Sequence, residues 1–298
     1  MRTALAKLHV SIVLAGFTGV FGKLISLGEI PLVWWRLALV LAILCPALAL
    51  TGRLSRPSRR SQAAAFGAGG LQCLHWVLFY ASIKLSTVSV ALVCISLMGF
   101  FSALFSPSLL GSRWSAREFL HSGISVAGIA LIFHFDSQYR LGIAVGVVSS
   151  AIAALFVICT KRIDRLREFE AANLFFHEML GGWVLITLSI PLYLVLNPGV
   201  RTLPDGKEFL YLLILSFFCT IVLYIMQLQA LRRLSAFTVN LSLNLEPVYS
   251  IIIAAWLLGE AKDFTSSFYA GLALLLLSVI LQTRAAVLDN RREEICLD

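Results

Sequence analysis

A carboxylate and a proline lie side by side within an apolar stretch of the chain. Residues 242–260 read SLNLEPVYSIIIAAWLLGE, in which Glu246 is followed by Pro247. An ionisable side chain at the centre of a membrane helix costs about 2.5–3.5 kcal/mol on insertion scales. Proline also removes a backbone donor, and the carbonyl that it leaves free must meet protein or water rather than lipid. The pair predicts that this segment faces a polar interior. There Glu246 could carry a proton, hold a positive group of a substrate, or accept hydrogen bonds from neighbouring helices.

Other polar side chains recur at helical spacing within apolar segments. One helix face carries Ser216, Thr220, Tyr224 and Gln227. Such stripes can line a pathway, although polar residues in membrane helices often only join helices, at about 0.6 kcal/mol each. With similar stripes elsewhere they define a predicted substrate cavity, whose candidate residues are Gln72, Trp76, Tyr80, Ser96, Tyr224, Gln227, Asn244 and Glu246. The mixture of aromatic and amide side chains suits zwitterionic or partly apolar metabolites such as amino acids.

Two basic residues, Lys23 and Arg36, also lie inside apolar segments, near the outer ends of the first two predicted spans. One interpretation makes them interfacial anchors beside the aromatic pair Trp34 and Trp35. The other makes them a cationic outer vestibule that attracts carboxylates. In either case Glu29, in the loop between the spans, could pair with one of them.

The composition decides the class of protein. Hydrophobic residues make up 59% of the 298 positions and charged residues only 13%, against about 25% in a soluble domain. Too little polar material remains to cover a soluble core, so the chain is predicted to be a polytopic membrane protein. The net charge is +8, and the basic residues lie in short runs between apolar segments. This distribution argues against nucleic-acid binding and favours contact with anionic lipid. Because the cysteines and histidines lack metal-ligand spacing, no metal or cofactor is expected.

Ten apolar segments are long enough to cross a bilayer. They cover residues 9–26, 31–50, 63–82, 86–110, 117–135, 141–161, 172–196, 207–231, 235–258 and 266–284. Placing both termini in the cytoplasm puts 17 Lys and Arg residues on the inner side and 5 on the outer side, as the positive-inside rule requires. The predicted fold is therefore an all-α integral membrane protein with ten transmembrane helices. In the sixth span, Gly142, Gly146, Ser150 and Ala154 predict a close-packing face.

The two halves of the chain resemble each other at a shift of 148 residues. Residues 84–112 align with residues 232–260, so that Gly111 meets Gly259. Five spans is an odd number, and the second half must therefore enter the membrane inverted, as in many secondary transporters. The expected domains are a first five-helix repeat at 1–136, a second at 137–285 and a cytoplasmic tail at 286–298.

The second half resembles a known family. NLEPVYSIIIAAWLLGE followed by FYAGLALLLLSVIL is similar to the second EamA repeat of the drug/metabolite transporter superfamily, and Arg36 stands where that family commonly has an arginine. The resemblance implies a ten-helix, inverted-repeat carrier that moves amino acids or other small metabolites, usually outward across the bacterial inner membrane. The first half departs from the pattern, with Met98–Gly99 in place of a proline motif and Gly111–Ser112 in place of Gly–Glu.

These observations favour a secondary transporter that works by alternating access through a midplane cavity, rather than an enzyme. The alternatives are a membrane-embedded enzyme, for which no H-x-x-x-H or G-x-S-x-G pattern is present, and a membrane scaffold without transport. The expected partners are a small-molecule substrate, the lipid bilayer and a second copy of the chain in a homodimer.

Overall fold

The computed structural model is helical almost throughout. The residues that it describes are 2–55, 57–111, 120, 123–124, 126–131, 137–166, 168–231 and 246–295. Within these ranges there is no β-strand. The first half contains helices α1 (Arg2–Leu24), α2 (Glu29–Leu50), α3 (Arg59–Leu85), α4 (Val88–Ile95) and α5 (Met98–Leu110). The second half contains α6 (Arg140–Asp164), α7 (Ala171–Leu196), α8 (Gly206–Ser216), α9 (Leu223–Leu231), α10 (Glu246–Leu257) and α11 (Ser266–Ile295).

Among the described residues, six helical segments are long and apolar enough to cross a membrane. They are Thr3–Leu24, Glu29–Leu50, Val88–Leu110, Arg140–Asp164, Ala171–Leu196 and Gly206–Gln227. Two shorter apolar helices, Val248–Leu257 and Ser266–Ser278, follow in the second half. The helical membrane class predicted from composition is confirmed, whereas the count of ten spans and the cytoplasmic placement of both termini stay predictions.

One end of the bundle, here called the distal end, is held together by buried carboxylates. It contains residues 25–28, 86–87, 197–205 and 258–265. Glu208, at the start of α8, accepts hydrogen bonds from the backbone N–H of Ser26 at 2.9 Å and from Arg201 at 2.6 Å. Lys84, at the end of α3, donates to the carbonyl of Leu27. The predicted topology makes this the external end.

The opposite, proximal end joins other loops. The side-chain amide of Asn173 donates to the carbonyl of Arg53, which fixes the start of α7 beside the end of α2. Glu168 accepts a hydrogen bond from the backbone N–H of Ser58 at 3.1 Å. Hydrogen bonds from Ser58 and Ser61 hold the pKa of Glu168 below its usual value. Among the described helices, chain direction therefore alternates between the two ends, as predicted.

The two halves end a helix in the same way at equivalent positions. Gly111 follows α5 with φ of 69°, and Gly259 follows α10 with φ of 70°. This left-handed conformation suits glycine at a helix C-terminus because it has no Cβ to clash. The two glycines are those paired by the shift of 148 residues. The same shift pairs Met98 of α5 with Glu246 of α10.

Small residues let the helices approach closely. Gly142 and Gly146 of α6 lie against Ser86 and Ser82 of the α3 end, and both glycines are buried, which confirms the predicted close-packing face. A closer approach joins α3 to α7. A Cβ built on Gly69 would overlap the backbone carbonyl of Glu178. Contacts of backbone against backbone leave no flexible side chain that could yield.

We expect Gly69→Ala to destabilise the fold by about 1–3 kcal/mol or more, because the added methyl group must push α3 away from α7. Gly67→Ala is the matched control, since nothing lies within 4 Å of a Cβ at that position on the same helix. The midpoints of thermal unfolding of the two variants are compared in detergent at one heating rate. Equal midpoints for the two variants would mean that α3 and α7 do not pack as described.

Candidate functional site

Arg36 is buried where three helical segments meet. Its side chain is 2% exposed, although it lies only seven residues from the start of α2. One terminal nitrogen, Nη1, donates to the hydroxyl of Tyr80 on α3 at 2.8 Å. The Nε and Nη2 atoms both donate to the hydroxyl oxygen of Thr220, at 3.1 and 2.9 Å. Nη2 also reaches the carbonyl of Cys219 at 3.4 Å. The head group of Arg36 is therefore part of the protein interior, and its roles as an interfacial anchor or as part of a cationic outer vestibule stay predictions.

Trp76 covers one face of this guanidinium. The Cζ atom of Arg36 lies 3.7 Å from the centroid of the indole ring, within the range of a cation–π contact. Trp76 is one turn before Tyr80 on α3, so both residues present the same helix face to Arg36. Two predicted cavity residues and one predicted vestibule residue thus form a single cluster, here called the Arg36 cluster and consisting of Arg36, Trp76, Tyr80, Cys219 and Thr220.

Thr220 belongs to an irregular turn. Residues Phe217–Val222 form a short π-helix between α8 and α9, and the Thr220 hydroxyl donates to the carbonyl of Leu215 at 3.0 Å. One turn earlier, the Ser216 hydroxyl donates to the backbone carbonyl of Arg36 at 3.2 Å. The first of these bonds joins the turn to the end of α8, and the second joins the end of α8 to α2. Single π-turns inside α-helices are frequent at functional sites.

The charge of Arg36 is not balanced by an acid within the described chain. Each described acceptor of its hydrogen bonds is neutral. The ion pairs that the described residues form lie instead at the distal end, where Lys84 is 3.9 Å from Glu29 and Arg201 is 2.6 Å from Glu208. Glu29 therefore pairs with Lys84, and the expected pairing with Lys23 or Arg36 is wrong. Removing an unpaired ion from water costs several kcal/mol, which the hydroxyls and the indole ring offset in part.

A break in the fourth span lies near its middle. Helix α4 ends at Ile95 and α5 begins at Met98, which leaves the predicted cavity residue Ser96 at the break with its side chain half-buried. The Ser96 hydroxyl donates to Val93 O at 2.6 Å, and the Ser150 hydroxyl of α6 donates to Ile95 O at 3.3 Å. The carbonyls at this break are thus satisfied by protein.

Of the other predicted cavity residues that the structure describes, Tyr224 has partners of its own outside the Arg36 cluster. The Tyr224 hydroxyl donates to the carbonyl of Ala171 at 2.6 Å, and its ring stacks on Phe175 at 4.2 Å. This tyrosine therefore joins α9 to the start of α7. Three further residues are half-buried: Gln72, Gln227 and Glu246. Glu246 begins α10, Lys23 is exposed at the end of α1, and Asn244 lies outside the described residues.

The aromatic pair beside Arg36 has a different environment. The indole N–H of Trp34 donates to Thr187 at 2.9 Å, and that of Trp35 donates to the carbonyl of Thr202 at 2.9 Å. Together with Tyr193 they line an apolar groove of about 210 Å³ between α2 and α7 at the distal end. This position agrees with the predicted aromatic belt.

The comparison with protein families agrees with this architecture. Residues 4–134 and 140–284 each match the EamA-like transporter family. The chain belongs to the EamA-like transporter family. The two matched segments agree with the predicted duplication, and the family resemblance inferred from the LEP and GE motifs is confirmed. A solved structure described only as a crystal structure of a protein shares the fold, with a TM-score of 0.63 over 99% of both chains at 18% identity. A comparison with curated proteins gave no match.

In this EamA-like chain the GE motif caps a helix of the other repeat. The carboxylate of Glu260 is 5% exposed and accepts hydrogen bonds from the backbone N–H groups of Val88 at 2.8 Å and Ser89 at 2.9 Å. The Thr87 hydroxyl accepts from the next N–H, that of Val90, at 3.1 Å. The first three donors of α4 are thereby satisfied, and the negative charge lies at the positive end of the helix. The motif marks Glu260 in the sequence, but its partner is 172 residues away.

Among the described residues of this EamA-like chain, His, Cys, Asp and Glu form no group of three or more that could hold a metal ion. The chemistry that the site offers is therefore that of one buried cation with hydroxyl and aromatic neighbours. This arrangement can bind an anion and provides no nucleophile paired with a base.

We expect Glu260→Ala to lower the unfolding free energy by about 1–3 kcal/mol, because two buried N–H groups would lose their acceptor. Glu260→Gln keeps one acceptor oxygen and should lose less. Lys262→Ala removes an exposed side chain in the same turn and is the control. Thermal unfolding midpoints that fall equally for the Glu260 and Lys262 variants would contradict the capping role.

Proposed function

We propose that this chain is a secondary transporter that exports amino acids or related small metabolites across the bacterial inner membrane by alternating access. Its membership of a transporter family supports transport. The observation that carries the proposal for this chain is the Arg36 cluster. It joins α2 and α3 of the first matched segment to the π-turn of the second. In inverted-repeat transporters the substrate site lies at such a junction between repeats.

The turn between α4 and α5 supports a further part of the substrate path, because it interrupts the fourth span near its middle and leaves Ser96 half-buried. Ser96 lies at the break between α4 and α5, and the repeat shift pairs this region with the segment just before Glu246. We include the predicted residues Gln72, Trp76, Tyr80, Ser96 and Glu246 in the proposed path.

Purified protein reconstituted in liposomes is expected to exchange external radiolabelled amino acid for unlabelled amino acid trapped inside. The panel is the twenty common amino acids, together with amines and nucleoside monophosphates, each with and without a pH gradient. Stimulation by a proton gradient would identify coupling to protons. Correctly inserted protein that transports none of these compounds would contradict the proposed function.

Glu246 provides a second test of the same function. Its side chain is half-buried on α10, and we include its carboxylate in the proposed substrate path. We expect Glu246→Gln to reduce exchange at least about tenfold, the effect of losing one hydrogen bond to a charged group, with an unchanged unfolding midpoint.

The control for Glu246 is Glu29→Gln, which removes a carboxylate from a partly exposed ion pair at the distal end. Such pairs contribute about 0–1 kcal/mol, so the variant should retain both exchange and stability. Misfolding of Glu246→Gln would instead assign Glu246 to helix packing.

A further inference from the structure

We infer that Arg36 recognises the carboxylate of a monoanionic or zwitterionic substrate, and that the Thr220 hydroxyl holds the place of that carboxylate when no substrate is bound. This inference rests on the proposed transport function and specifies the substrate class of its site. It follows from the geometry of the guanidinium, from its charge and from the elements that it joins.

The geometry concerns the side of the guanidinium formed by Nε and Nη2. These two N–H donors are parallel and match the two oxygens of a carboxylate. Here both point at one neutral oxygen, the Oγ1 atom of Thr220, at 3.1 and 2.9 Å. A single oxygen thus occupies a position that two carboxylate oxygens would fill with shorter, charge-assisted bonds.

The rest of the cluster fixes the orientation of the guanidinium. Tyr80 is fully buried and accepts from Nη1 at 2.8 Å, while the ring of Trp76 covers one face at 3.7 Å. Neither contact uses the side formed by Nε and Nη2. When Thr220 moves away, Arg36 therefore presents this side already oriented, which reduces the entropy lost on binding.

The charge explains why the ligand would be an anion with one negative charge. Arg36 is 2% exposed, and its described acceptors are neutral. One carboxylate would neutralise it. A dianion such as a phosphate ester or a dicarboxylate would leave a second charge buried without a partner, which is costly in a site of low polarity.

Thr220 is suited to release the guanidinium because it lies in the π-turn at Phe217–Val222. Its hydroxyl proton is donated to the carbonyl of Leu215 at 3.0 Å, so its orientation depends on the local turn. A change of this turn toward regular α-helix would rotate Thr220 relative to Arg36. Substrate binding would thereby be linked to the conformation of the α8–α9 span, which belongs to the second repeat.

The test compares each of the twenty common amino acids, as the free acid and as its α-amide, as competitors and as exchange substrates in liposomes. The amide keeps the side chain and the amino group but lacks the negative charge. Wild-type protein should select free acids. Arg36→Lys keeps a positive charge without the parallel donors, and it should weaken the apparent affinity for the best free acid at least about tenfold with no effect on its amide.

Thr220→Val provides the more specific variant, because it removes the hydroxyl that occupies the guanidinium and keeps the side-chain shape. We expect it to raise the affinity for the free acid several-fold relative to the amide. Thr187→Val is the matched control. The Thr187 hydroxyl also takes part in a hydrogen bond between helices, accepting from Trp34 at 2.9 Å in a half-buried position, but it lies on α7 outside the Arg36 cluster. It should leave the ratio of acid to amide unchanged.

The outcomes separate this inference from the function on which it rests. Transport of amines or amides as well as acids, with both Arg36→Lys and Thr220→Val changing all substrates equally, would overturn carboxylate recognition and leave transport in place. Absence of any exchange by inserted wild-type protein would overturn both. If Arg36→Lys fails to fold, the acid-to-amide ratio of Thr220→Val decides, since a purely structural hydroxyl would not alter that ratio.

Discussion

The packing of the interior depends on one buried guanidinium, that of Arg36, whose hydrogen-bond partners are all neutral among the described residues. The Arg36 guanidinium is shielded from water at the junction of α2, α3 and the π-turn. The cost of that desolvation requires that each neighbouring segment supply an acceptor or a ring. Tyr80 and Trp76 do so from α3, and Thr220 does so from the π-turn, so the cluster joins α2 to both of these segments.

Two buried carboxylates bind backbone groups at the distal end of the bundle. At the distal end, Glu260 satisfies the first donors of α4, and Glu208 satisfies the backbone N–H of Ser26 in the loop before α2. In both cases a carboxylate from the second repeat binds backbone of the first. Because the acceptors are carboxylates and the donors are buried, these contacts are stronger than bonds between neutral groups. They join the two repeats at one end of the bundle.

The sequence predicted which residues share a face of one helix, but it predicted poorly which residues of different helices contact each other. The small residues Gly142 and Gly146 predicted a packing face because their spacing is a property of one helix. Trp76 and Tyr80 were predicted for a cavity, whereas Arg36 was predicted for a vestibule at the surface. Only the antiparallel pairing of α2 with α3 brings these residues to the same depth. That depth could have been inferred, because Arg36 lies seven residues after the start of α2 and Tyr80 five before the end of α3. The π-turn that directs Thr220 toward Arg36 left no recognisable pattern in the sequence.

Helix α1 connects the Arg36 cluster to the segment that contains Glu246. A Cβ on Gly22 would overlap the ring of Tyr80, and one on Gly16 would lie 2.9 Å from the hydroxyl oxygen of Ser250 on α10. Gly16 and Gly22 are separated by six residues, or about 9 Å along the helix. Close packing at both positions means that α1 cannot slide or turn without moving against both neighbours. Helix α1 therefore packs closely both on the ring of Tyr80 and on α10 one turn from Glu246, so that a single helix of the first repeat contacts the Arg36 cluster and the glutamate helix of the second repeat.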